Sequence, residues 1–131
     1  MESRWQRQEV PDVDGIVTAS GHIFAVDSNG IKETGRLPEN VRWADLDIMA
    51  SQTILDGNFR IVCGESSGHG SIGVVVMEDT KTQLPVWSMV SYESNPFDQI
   101  EVKAGYILVL STSGTVFRFR PLLEEVNLSI P

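Results

Sequence analysis

Cysteine, histidine and positive charge are all scarce in this chain. Cys63 is the single cysteine, which excludes an internal disulfide framework and a thiolate zinc site, and suits a reducing compartment. His22 and His69 are the two histidines. With no partner cysteine and no H-x-x-x-H spacing, they give no metal-site signature. Ten basic residues stand against eighteen acidic ones, a net charge of −8. That balance disfavours direct nucleic-acid binding, because phosphate contacts want a basic surface. It favours a basic protein partner, although acidity also serves solubility. No apolar run reaches membrane-spanning length, and the opening MESRWQRQEVPDVD lacks the apolar stretch of a secretory signal. The expectation is a soluble, cytoplasmic protein of one domain, with no membrane partner and no cofactor.

Helical periodicity is nearly absent too. The one candidate turn runs from Glu39 to Asp45. Strand signals are frequent instead: GHIFAVD, FRIVC, SIGVVVM, PVWSMVSY, YILVL and TVFRFR are rich in β-branched and aromatic residues. Turn clusters such as DSNG, LDGN, ESNP and STSG separate them. TVFRFR alternates, with Phe117 and Phe119 opposite Val116, Arg118 and Arg120, as a strand with one wet face does. YILVL and GVVV do not alternate and are expected to be buried on both faces. The chain is predicted to be all-β, with a hydrophobic content of 41%, enough to build a core.

Two stretches read alike. Ile16 precedes GHIFAVDSNG (Gly21 to Gly30) and Ile100 precedes GYILVLSTSG (Gly105 to Gly114), each as Ile-x4-Gly followed by an apolar strand and a polar turn closed by glycine. Trp5, Trp43 and Trp87 recur at intervals of about forty residues. A middle copy is expected at 59–79, so that 13–35, 59–79 and 97–119 become three versions of one sheet unit, within repeats of about 5–42, 43–86 and 87–131.

The middle copy carries two catalytic-looking signatures in IVCGESSGHGSIGVVV. Gly64-Glu65-Ser66-Ser67-Gly68 fits the G-x-S-x-G nucleophile elbow, and Gly68 to Gly73 fits the G-x-G-x-x-G phosphate loop. Each needs a helix after its last defining residue, to expose the serine or to hold an anion on its first amides. The β-branched run Val74-Val75-Val76 opposes a helix, so the stretch reads as a lengthened loop between two strands. No catalytic residue is assigned. His22 occupies the strand start where Tyr106 stands in the other copy, and is read as a packing residue. The tryptophans are read as wedges between sheets, with exposed sugar platforms as the alternative.

The pairs Asp12 and Asp14, and Asp45 and Asp47, have the D-x-D spacing that puts both carboxylates on one face of a strand. They suit a cation, a basic partner, or a solvated edge protected from aggregation. With Glu65 and His69 from the lengthened loop, they form the candidate partner-binding set.

Phe97 to Phe119, FDQIEVKAGYILVLSTSGTVFRF, resembles the β-propeller repeat of the regulator-of-chromosome-condensation type, and Val13 to Gly35 resembles a shorter version. The resemblance implies three propeller-like blades. Three blades do not close alone, so a six-bladed ring formed by a homodimer is expected, with a single β-sandwich or barrel as the alternative. The functional expectation is a non-enzymatic protein-binding module, of the kind an acidic inhibitor or immunity protein provides against a basic toxin or nuclease. The alternative is a glycan- or small-ligand-binding propeller.

Overall fold

The computed structural model describes residues 2–67, 71–121 and 123–131. The chain is all-β with one short helix, α1 (Glu2–Gln6). Its strands are β1 (Glu9–Pro11), β2 (Gly15–Thr18), β3 (His22–Asp27), β4 (Gly30–Arg36), β5 (Trp43–Asp45), β6 (Asp47–Ile54), β7 (Phe59–Glu65), β8 (Gly73–Asp79), β9 (Leu84–Ser91), β10 (Phe97–Lys103), β11 (Tyr106–Ser111), β12 (Val116–Phe119) and β13 (Val126–Ser129). They form a seven-stranded sheet in the order β4-β3-β2-β9-β8-β7-β6, a four-stranded sheet β10-β11-β12-β13, and the pair β1-β5. Every pairing between these strands is antiparallel.

The β-branched run of β8 explains the layering. In a strand, successive side chains point to opposite faces. Val75 and Met77 therefore enter one core with Ile61, Cys63, Trp87 and Met89, while Val74 and Val76 enter a second with Val62 and Val90. Each fully buried valine-sized side chain contributes about 1.5–3 kcal/mol, so a sheet apolar on both faces must be covered twice. The four-stranded sheet covers the first face, bringing Phe97, Val109, Phe117 and Phe119. Its edge β10 lies against β6 and β7, and β13 lies against β3 and β4, so the two sheets run in the same order. The second face is covered by α1 and the β1-β5 pair, through Trp5, Val10, Ala44 and Leu46.

Several expectations change here. GVVV is buried on both faces, as its lack of alternation implies. YILVL is not: Ile107 and Val109 are buried while Leu108 and Leu110 are half-buried, because β11 has a covering sheet on one side only. Residues 39–45 form no helix, and Trp43–Asp45 is β5 instead. None of the sheets closes on itself, and a propeller or ring is not confirmed. Strands from 13–35 and 59–79 share one sheet, joined through β9. The central strands β7, β8 and β9 of the large sheet are covered on both faces within this one chain. The tryptophans stand on a helix, α1, and on strands of two different sheets, β5 and β9, and not at equivalent places. Trp5 and Trp87 are buried, and Trp43 is half-buried with the Arg4 guanidinium 5.0 Å from its ring centroid.

Trp87 anchors the first core. Its ring meets Phe117 at 6.0 Å and Phe119 at 5.1 Å, both edge-on, and those two phenyl rings lie 4.9 Å apart. Edge-to-face pairs at such distances add to simple burial. Cys63, on β7, two strands away across β8, is fully buried, and burial together with the nearby Asp98 charge pushes its thiol up to about 12. It is a packing residue with no thiolate to offer at neutral pH. Replacing Trp87 by Ala is expected to destabilise the fold by about 3–5 kcal/mol, whereas Trp87→Phe, which keeps an aromatic edge, costs well under half of that. Urea denaturation monitored by circular dichroism gives both values.

Candidate functional site

The end of the large sheet where β7 stops and β8 begins gathers the acidic residues. Register makes this explicit. Gly15 pairs with Val90, Val90 with Val74, Val74 with Gly64, and Gly64 with Ile48. One residue beyond that row lie Asp14 on the β2 side and the directly opposed pair Glu65 and Asp47 on the β7-β6 side. Asp14 and Asp47 are thus four strand spacings apart, roughly 19 Å. Asp12 follows β1, and Asp45 ends β5, whose pairing with β1 holds it across from Glu9. Asp45 and Asp47 do not share one strand as D-x-D spacing would have it: Asp45 ends β5 and Asp47 opens β6 in another sheet, with buried Leu46 between them and both carboxylates exposed. Of the candidate set, Asp12, Asp14, Asp45, Asp47 and Glu65 come to this one end, while His69 lies outside the described residues.

The carboxylates are held by hydroxyls and amides. Ser67 Oγ donates to Asp45 Oδ2 at 2.8 Å. Tyr92 OH donates to Asp12 Oδ1 at 2.9 Å, and the Tyr92 backbone N–H donates to Asp14 Oδ1 at 3.2 Å. The Asp12 N–H donates to the Arg42 carbonyl at 2.8 Å, tying this corner to the approach to β5. The described ion pairs join Arg4 to Glu9, Arg60 to Glu78, Lys103 to Glu101 and Arg120 to Glu125, while His22 contacts Glu33 through its ring. Among the described residues, none of the five acidic candidates takes a cation. Like charges directly opposite each other across a strand pair are destabilising, and Asp47 faces Glu65 in that way.

Tyr92 belongs to this corner and was not foreseen from the sequence; the visible signal was an aromatic residue placed beside a turn in SYESNP. Burial, the hydrogen bond to Asp12, and the negative charges of Asp12 and Asp14 together push its phenol up to about 12. The fold therefore favours the neutral phenol. Stability from this arrangement is fully present below pH 10 and is lost as pH rises through about 12.

The catalytic-looking signatures resolve into packing. Gly64 is inside β7, and a Cβ there would collide with the Asp47 carbonyl oxygen at 1.9 Å, because β6 bulges between Ile48 and Ala50 directly over it. Gly73 opens β8, a strand and not a helix, and a Cβ there would lie 2.5 Å from the Asn95 carbonyl oxygen. Close backbone approach thus requires both glycines. Ser66 follows β7 and is buried, whereas a nucleophile elbow would expose its hydroxyl. Gly68 and Gly70, like His69, lie outside the described residues. His22 is not a packing residue: its Nδ1 meets Glu33 Oε2 at 3.1 Å and its Nε2 meets the Arg36 guanidinium at 3.3 Å. Arg cannot accept, so Nε2 accepts and Nδ1–H donates.

The opposite end holds an open cleft of about 440 Å³ lined by Trp5, Arg60, Glu78 and the amides of Gln6, Gln8 and Gln83. Glu78 is buried, and both its oxygens are taken: Trp5 Nε1 donates at 2.5 Å and Arg60 Nε at 3.0 Å. These bonds tie α1 to the large sheet and leave that carboxylate no free oxygen for a ligand. Among the described residues, no three His, Cys, Asp or Glu side chains converge to hold a metal ion.

No family model, curated protein or solved structure matches this chain.

Two outcomes follow. In a spectrophotometric titration Tyr92 ionises near 12, and Asp12→Asn lowers that midpoint towards 10. Gly73→Ala destabilises by roughly 1–3 kcal/mol through the collision with residues 94–97, read as a fall in the urea midpoint at unchanged slope.

Proposed function

We propose that this protein is a non-enzymatic binding module whose acidic end recognises a basic protein, in the manner of an inhibitor or immunity protein against a basic toxin or nuclease. One observation carries the reading. Asp12, Asp14, Asp45, Asp47 and Glu65 share one end of a rigid sheet, none of them has an ion-pair partner among the described residues, and Asp47 directly opposes Glu65. An arrangement that weakens the free fold makes sense where a cationic surface completes it. The net charge of −8 adds long-range attraction of the same sign. Tyr92, exposed at 38% and fixed by two aspartates, supplies the aromatic contact that interfaces favour at their centre.

Function and stability should separate at the opposed pair. Glu65→Gln removes a like-charge contact and is expected to raise the melting temperature by roughly 1–4 °C. The same change, combined with Asp47→Asn, weakens binding to a basic partner recovered from the native cell by about tenfold, chiefly through slower association. Association and dissociation rates measured between 50 and 300 mM salt check this. Affinity indifferent to salt, or unchanged in the double variant, removes the reading.

A further inference from the structure

The three sheets present six edge strands among the described residues, and five are guarded. Native proteins protect edges by shortness or charge, because an edge offers unpaired backbone N–H and C=O groups to any incoming strand. β1, β5 and β13 have only three, three and four residues. β4 carries Lys32, Glu33 and Arg36, and β10 carries Asp98, Glu101 and Lys103. β6 differs. It has eight residues, DIMASQTI, with Asp47 its single charge, no proline and six side chains exposed; its bulge between Ile48 and Ala50 is confined to the start and leaves residues 50–54 in regular register. No described strand pairs along its outer side.

The surroundings of this edge have a chemistry of their own. At its start, Ile48 and Met49 are 37% and 46% exposed beside Asp47 and Glu65. At its end, Leu55 and Val102 are 48% and 45% exposed and line a largely apolar hollow of about 150 Å³ with Ile54 and Tyr106. Asp56 follows Leu55, and Asp98 lies on β10, the strand layered against β6. Past Asp47 the edge is thus neutral, apolar at both ends, and bordered by Glu65, Asp56 and Asp98, while Lys103 beside the hollow is already paired with Glu101.

We infer that β6 is a docking edge that accepts an extended, basic segment of a partner protein as an eighth strand of the large sheet. Backbone pairing along residues 47–54 supplies the register. A lysine or arginine beside Asp47 and Glu65 supplies charge complementarity, and an apolar side chain over Leu55 and Val102 fills the hollow. A second copy of this chain fits less well. Pairing two β6 edges brings together two chains of net charge −8, each edge carrying Asp47 and no cation. The inference rests on the basic-partner reading and adds to it the edge and the mode of binding.

The test uses the full chain and two labelled decapeptides of alternating lysine and valine. One is unmodified; the other is N-methylated at every backbone amide, which keeps the charge and removes strand pairing. The expected result is that only the unmodified peptide binds tightly and slows amide exchange within residues 47–54 by tenfold or more. Gln52→Lys, which charges the edge without touching a core, weakens its binding at least tenfold, whereas Lys32→Gln on β4 leaves it unchanged; circular dichroism confirms that both variants are folded. If both peptides bind equally, with protection confined to the neighbourhood of Asp12 and Tyr92, edge docking is overturned while the basic-partner reading stands. If neither binds at 50 mM salt, both fail. If light scattering shows a dimer whose β6 amides lose protection on dilution, the edge belongs to a second copy and the inference is overturned.

Discussion

Everything in this molecule follows from the double-sided burial of one sheet. β8 and its neighbours β7 and β9 send apolar side chains to both faces, so neither face can be left to water. Burial at about 25 cal/mol per Å² makes the uncovered arrangement untenable. Two unrelated lids answer the same demand. The C-terminal third supplies a four-stranded sheet for one side, and the N-terminal helix with β1 and β5 closes the other.

The second lid also creates the acidic end. To put Val10, Ala44 and Leu46 over the sheet, the chain must cross it twice, once entering β2 and once entering β6. Both crossings pass the same end, and each carries a D-x-D pair whose intervening or flanking residue faces inward while the carboxylates face out. Grouping the negative charges is thus a by-product of covering the core, but leaving them without cations among the described residues is not, since arginine and lysine are used for ion pairs elsewhere on the surface.

The strands with strong β-branched and aromatic content were readable from local composition: β3, β7, β8, β9, β11 and β12 correspond to the stretches GHIFAVD, FRIVC, SIGVVVM, PVWSMVSY, YILVL and TVFRFR. β6 was invisible because Asp, Met, Ala, Ser and Gln have little strand preference. That edge is held by pairing to β7 and by a bulge, both of which are tertiary facts. The apparent repeat carries less topology than it suggests, for a related reason. Ile-x4-Gly followed by an apolar strand describes any hairpin entered through a tight glycine turn, whether it sits in a blade or at the margin of a wide sheet. The acidic residues themselves were legible as D-x-D pairs, yet the register that opposes Asp47 to Glu65 and the Tyr92 corner required the assembled sheet.

The β2-β9 pairing sets an order of events for the growing chain. Residues 15–18 leave the ribosome early, but their partners, residues 87–90, emerge only after the hairpins between them. Contacts this distant in sequence form slowly, because the intervening loop must be closed before they can be rewarded. The β2-β4 strands can join β6 to β9 only through this one long-range pairing, so the seven-stranded sheet is complete only once β9 is present.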